Sequence, residues 1–126
     1  MAKRTEQELL DQVLRPQLLT LLHSKCDEKL KSLQEGYPER EVLTWDAQSK
    51  EAEAYLKDNS TPTPFISAAL NADETVHQYA TLISTNNAAW SAYAGGIVQL
   101  RRNYESKIAD TDNESLDDLL IEIESL

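Results

Sequence analysis

Gly36-Tyr37-Pro38-Glu39-Arg40-Glu41-Val42-Leu43-Thr44-Trp45-Asp46-Ala47-Gln48, followed by Glu51-Ala52-Glu53-Ala54-Tyr55 and then Thr61-Pro62-Thr63-Pro64-Phe65, spells a stop, a helix, a break and a second helix. Gly36 is suited to end a helix in a left-handed residue, and Pro38 to open the next at its first turn. Glu39 and Glu41 then fall where a helix N-terminus favours negative charge. Val42, Trp45, Ala52, Tyr55 and Leu56 recur at three- and four-residue spacings, which predicts a helix over 39–57 packing on one side through Trp45. The stretch 58–64 is the clearest linker: two prolines push their preceding residues to extended backbone, and Asp58, Asn59 and Ser60 favour turns. Thr63 reads as the cap of a short helix from Pro64, with Phe65, Ile66, Ala69 and Leu70 on its apolar face.

Upstream, Leu9, Leu10, Val13 and Leu14 have helical spacing, and the stripe resumes after Arg15-Pro16 with Leu18, Leu19, Leu22, Cys26, Leu30 and Leu33. A proline inside a helix costs about 3 kcal/mol but little in the first turn. Two helices, 5–14 and 16–34, or one kinked helix are therefore expected. Downstream, Asn71-Ala72-Asp73-Glu74 resembles a capping box opening a helix with Val76, Tyr79, Ala80 and Ile83, which should end near Asn86-Asn87. A further helix over 88–108 has Trp90, Tyr93, Ala94, Ile97, Leu100, Tyr104 and Ile108 as its inward stripe. Gly95-Gly96 costs it about 2 kcal/mol relative to alanine, which points to a kink or a close crossing. Thr111-Asp112-Asn113-Glu114 is a second capping signal, ahead of Leu116, Leu119, Leu120 and Ile123 at i, i+3, i+4 and i+7.

With 126 residues, three glycines, four prolines and no β-branched or aromatic runs, the chain reads as all-α. An elongated helical hairpin and a small helical bundle both fit. The expected organisation is a helical region at 1–57, the linker at 58–64 and a helical region at 65–126, together one folding unit. A net charge of -10 argues against binding nucleic acid or an anionic membrane, because releasing counterions from phosphates requires clustered Lys and Arg. Seven of the acids and no basic residue lie between Ala109 and Leu126. Glu6, Glu8 and Asp11 interrupt what would have to be the apolar core of a signal peptide after the basic Met1-Ala2-Lys3-Arg4 start, and no run is long enough to span a membrane. Cys26 is the sole cysteine, so no internal disulfide forms and a reducing cytoplasm fits.

The central stretch, together with Asn87-Ala88-Ala89-Trp90-Ser91-Ala92-Tyr93-Ala94-Gly95-Gly96, Leu100-Arg101-Arg102 and Ile108-Ala109-Asp110-Thr111, resembles small bacteriophage proteins of the tail and tail-fibre assembly family. The likeness covers most of the chain after residue 16. It departs where that family has a single Gly before a Gly-x-Arg-Gln run, since this chain has Gly95-Gly96-Ile97-Val98-Gln99-Leu100-Arg101-Arg102. The resemblance implies an accessory protein that helps a tail fibre or receptor-binding protein to trimerise or is incorporated beside it, located in the host cytoplasm during assembly or, if incorporated, in the virion tail. It brings no catalytic residue.

The residues themselves suggest no enzyme and no cofactor. His23 and His77 lie on separate helices without a carboxylate constellation, Cys26 sits on an apolar stripe, and Gly95-Gly96 lacks the Lys and Ser/Thr of a phosphate loop. Trp45 and Trp90 are candidates for contact with a phage tail protein, with a role as core anchors the alternative. Arg101-Arg102 suits either a carboxylate-rich partner or an internal ion pair. The last helix, through Leu116, Leu119, Leu120 and Ile123, either docks in a partner's groove or folds back. Self-association stays open. A different class, an acidic inhibitor mimicking nucleic acid, needs carboxylates spread over much of the surface, whereas here most of the excess charge falls on one helix.

Overall fold

The computed structural model describes residues 5–126, without the side chains of Gln7 and Leu10, so the basic start at 1–4 and the place of Leu10 on the first stripe lie outside the described residues. The chain is all-α: every regular element is helical and no strand occurs among the described residues. In order these are α1 (Glu6–Leu9), a π-helical turn (Leu10–Leu14), α2 (Arg15–Ser32), α3 (Glu39–Val42), α4 (Trp45–Lys57), α5 (Pro64–Ala69), α6 (Val76–Asp110), a 3₁₀ turn (Asn113–Ser115) and α7 (Leu116–Glu124). They form two compact units, divided elsewhere than at the Thr-Pro linker. The first unit joins the residues up to Leu33 with Ala94–Leu126; the second is Gln34–Tyr93. Reading a chain in order favours contiguous regions, and the pairing of its two ends is invisible to such a reading.

In the first unit the chain opens on a reciprocal cap. The Glu8 N–H donates to Thr5 Oγ1 at 3.1 Å and the Thr5 N–H donates to Glu8 Oε2 at 3.3 Å. Helical backbone then continues to Ser32, and Pro16 lies in the first turn of α2 directly after the π turn. A proline would remove one hydrogen bond and strike the carbonyl four residues back; the wider turn accommodates both defects without ending the helix. Leu18, Leu22 and Cys26 on α2, Tyr104 and Ile108 on α6, and Leu116, Leu119 and Ile123 on α7 make one buried cluster, flanked by Leu14, Leu19, Leu21, Ile97, Leu100, Leu120 and Leu126. Leu9 and Val13 remain exposed, while Leu14 packs against this cluster.

In the second unit Ala52, Ile66, Ala80 and Ile83 form a smaller core bordered by Tyr55, Leu56, Leu70, Val76 and Tyr79. Gly36 does take a left-handed backbone, φ 91°, but within a turn beyond the helix end at Ser32. The expected 39–57 helix is divided at Leu43-Thr44 into α3 and α4. Thr63 does not cap α5 through its side chain. That task falls to Glu51 on α4, whose carboxylate accepts the N–H groups of Phe65 and Ile66, both at 3.1 Å.

Two expectations about α6 are corrected. Asn71 to Glu74 forms a turn, and the helix starts later, on a cap made by Thr75 and Gln78: the Gln78 N–H donates to Thr75 Oγ1 at 3.1 Å and the Thr75 N–H donates to Gln78 Oε1 at 2.9 Å. No break occurs at Asn86-Asn87 or at Gly95-Gly96, and one helix of 35 residues runs from Val76 to Asp110. A Cβ added to either glycine would meet nothing within 4 Å, so no close crossing explains them.

Candidate functional site

The residues picked out as partner contacts fall into three environments. Leu116 and Ile123 are fully buried and Leu119 nearly so, with Leu120 partly buried beside them, all against α2 and α6. The last helix thus folds back, and its apolar stripe is taken up by the chain's own core. Trp45 is half-buried and meets Tyr37 edge-on, ring centres 5.1 Å apart at 89°. Trp90 is 37 % exposed, with Tyr93 at 47 % and Leu82 at 49 %, so neither Trp90 nor Tyr93 belongs to the inward stripe that takes in Tyr104 and Ile108. Every residue from Ser84 to Tyr93 is exposed. Arg101 pairs with Glu105 at 2.6 Å, an internal bridge one helical turn along.

Arg15 was read only as part of a helix break, and it proves to be the chief polar tie of the first unit. One Nη donates to the Ile108 carbonyl; the other donates to the Thr111 carbonyl at 2.7 Å and to Asn113 Oδ1 at 2.8 Å; Nε bonds Asp11 Oδ1 at 2.7 Å. The end of a helix leaves carbonyls without partners, and a guanidinium with five donors in a fixed fork suits them. It thereby holds the turn between α6 and α7. Arg15 precedes Thr111 and Asn113 by most of the chain length, so the only local hint was a charged residue beside an apolar stripe.

Two further polar groups sit on the rim of the same core. His23 Nε2 and Arg101 Nη1 both reach Glu105 Oε1, at 3.0 and 2.6 Å, and the Arg101 bond, then the His23 bond, hold the Glu105 carboxyl below its ordinary range. The Tyr104 hydroxyl donates to Glu122 Oε1 at 2.9 Å, and Lys107 Nζ approaches the same oxygen at 3.2 Å while standing 4.7 Å over the Tyr104 ring. These bonds lower the Glu122 carboxyl, Tyr104 first, and burial raises the Tyr104 phenol. Burial also pushes the Cys26 thiol up, against smaller opposing effects of Arg101 and Lys29, so it behaves as a core side chain.

No group of three or more His, Cys, Asp or Glu able to hold a metal occurs among the described residues. Two shallow, open surface depressions each follow one helix face, Pro16 to Ser24 or Gly95 to Ala109. Among the described residues, no helix is long and apolar enough to cross a membrane. What the surface does present is a set of exposed large apolar side chains, Leu43 and Ile121 the most open of them. No known protein family, no curated protein and no solved structure matches the chain.

Proposed function

We propose that this chain is a bacteriophage tail-associated protein that acts by binding, as an assembly chaperone or accessory subunit for a tail fibre or receptor-binding protein, and performs no reaction itself. The observation that supports it is the set of ten exposed large apolar side chains among the described residues. Six of the ten lie in the second unit: Tyr37, Leu43, Phe65, Leu82, Trp90 and Tyr93. Scattered apolar residues are ordinary on a surface, but this set occurs in a unit whose own core is small, and Leu43 is 79 % exposed. The same unit carries the Gly36-to-Phe65 stretch on which the phage resemblance rests. A fibre chain awaiting trimerisation presents unpaired apolar surface, and a soluble acidic protein with exposed apolar side chains is suited to cover it.

Co-expression with the tail-fibre and neighbouring tail genes of the parent phage tests the reading. A co-purifying complex, or more soluble trimeric fibre than without the chain, is expected, and Leu43→Glu with Phe65→Glu should reduce it several-fold while leaving helical content unchanged. Absence of both complex and gain with every tail protein tried overturns the proposal.

A further inference from the structure

The helix α6 carries a feature that the fold does not use. From Val76 to Leu100 it has no Asp, Glu, Lys or Arg, in a chain where 27 % of residues are charged and the net charge is -10. Within that run Leu82, Asn86, Ala89 and Tyr93 share one face, all exposed. This face stands roughly a quarter turn round the helix from the core positions Val76, Tyr79, Ala80 and Ile83, so packing of the second unit leaves it in water.

We infer that this face pairs with the same face of a second copy of the chain, two α6 helices running antiparallel about a two-fold axis between Asn87 and Ala88. The inference rests on the reading of this chain as a binding protein and assigns one of its surfaces to self-association. Three observations select the occupant. The spacing from 82 to 86, 89 and 93 is four, three and four residues, so it reads the same in both directions. A two-fold interface requires such self-complementarity, because residue i meets j wherever j meets i. The paired residues also match in size. Leu82 lies opposite the second copy's Tyr93 and Asn86 opposite its Ala89, a larger side chain against a smaller one each time, as interdigitating helices need.

Charge supplies the third. Two copies at -10 each repel, so a contact between copies belongs where acids are missing, and the longest such segment is this one. A basic partner would find no carboxylate within this stretch to pair with. A single polar Asn among apolar contacts is a known device for fixing register in paired helices, and Asn86 occupies that place.

Light scattering on the purified full chain should give twice 14.2 kDa at high micromolar concentration, dissociating on dilution. Ala89→Glu, which adds a carboxylate at the centre of the face, should weaken the dimer at least tenfold, whereas Ser91→Glu, the same charge on the opposite side of the helix, should leave it intact. Circular dichroism confirms that both stay helical. Direction is read by cross-linking in a Cys26→Ala background with a short bifunctional maleimide. A mixture of Leu82→Cys and Tyr93→Cys chains should join, while either alone should not, because like positions lie about 16 Å apart along the axis in the antiparallel pair. A monomer at every concentration, a dimer indifferent to Ala89→Glu, or cross-links between like positions overturns the inference. A monomer that still binds fibre protein would remove the self-pairing alone; a dimer without effect on any tail protein would remove the proposed function alone.

Discussion

At Arg15 one side chain satisfies the carbonyls of Ile108 and Thr111 and the side chain of Asn113, and its own exposure is only 18 %. Hydrogen bonds to a charged group contribute about 1.5–3 kcal/mol, and the acceptors left behind by truncation add a desolvation penalty. Arg15→Ala should therefore destabilise the first unit by about 2–3 kcal/mol, and Arg15→Lys should recover less than half of this, since an ammonium cannot reproduce the fork. Urea titration followed by circular dichroism measures both. The rim carboxylates carry a pH dependence of fixed sign. Glu105 and Glu122 have folded values below the ordinary 4.5, so their stabilisation is complete above that pH and is lost as pH falls through the lowered values. Melting temperature should decline on acidification below about pH 4.5, and the combined Glu105→Gln, Glu122→Gln variant should show a flatter acid limb than the parent. An acid limb of unchanged steepness in that variant would mean that other carboxylates dominate.

Among the elements, the periods read over 39–57 and 88–108 hold only from Trp45 to Leu56 and from Ile97 to Ile108, and that of Leu116 to Ile123 holds throughout, because there the apolar positions recur on a face that is buried or half-buried. The capping residues were legible only in part. Thr75 and Gln78 have the spacing of a capping box, yet Asn71 and Glu74 display the same pattern nearby, and local sequence does not rank the two. Glu51 is fourteen residues from the Phe65 N–H it accepts, beyond any local pattern. The helix end expected at Asn86-Asn87 failed for another reason: Asn, like the two glycines further on, has low helix propensity, but packing at both ends of a long helix outweighs a deficit of a few kcal/mol. That deficit is recoverable. Since nothing lies within 4 Å of an added Cβ, Gly95→Ala and Gly96→Ala should each raise stability by about 0.5–1 kcal/mol, seen as a higher melting temperature. Gly36→Ala should have the opposite sign, losing about 1 kcal/mol despite equally open surroundings, because φ there is 91°.

For the whole molecule, the decisive long-range fact is that α7 closes the first unit over α2 and the end of α6, placing the last apolar stripe against residues near the start of the chain. The sequence left both docking and folding back open, with a slight lean to folding back, since an amphipathic helix at a chain end suits both and only the complementary surface on α2 decides between them. Cys26 reports on that closure, being 4 % exposed within the same cluster and disfavoured as a thiolate by burial. A thiol reagent should therefore modify native Cys26 far more slowly than the urea-unfolded chain. Leu116→Ala deletes buried volume at the α7 contact at a cost of about 2–5 kcal/mol, which should raise the reactive population on the order of a hundredfold while α6 stays helical. Native labelling as fast as in urea would mean that α7 is not seated in solution. The same thiol separates two ways of binding a tail protein: capture through the exposed side chains of the second unit leaves the labelling rate unchanged, whereas capture of α7 itself must uncover Cys26 and accelerate it.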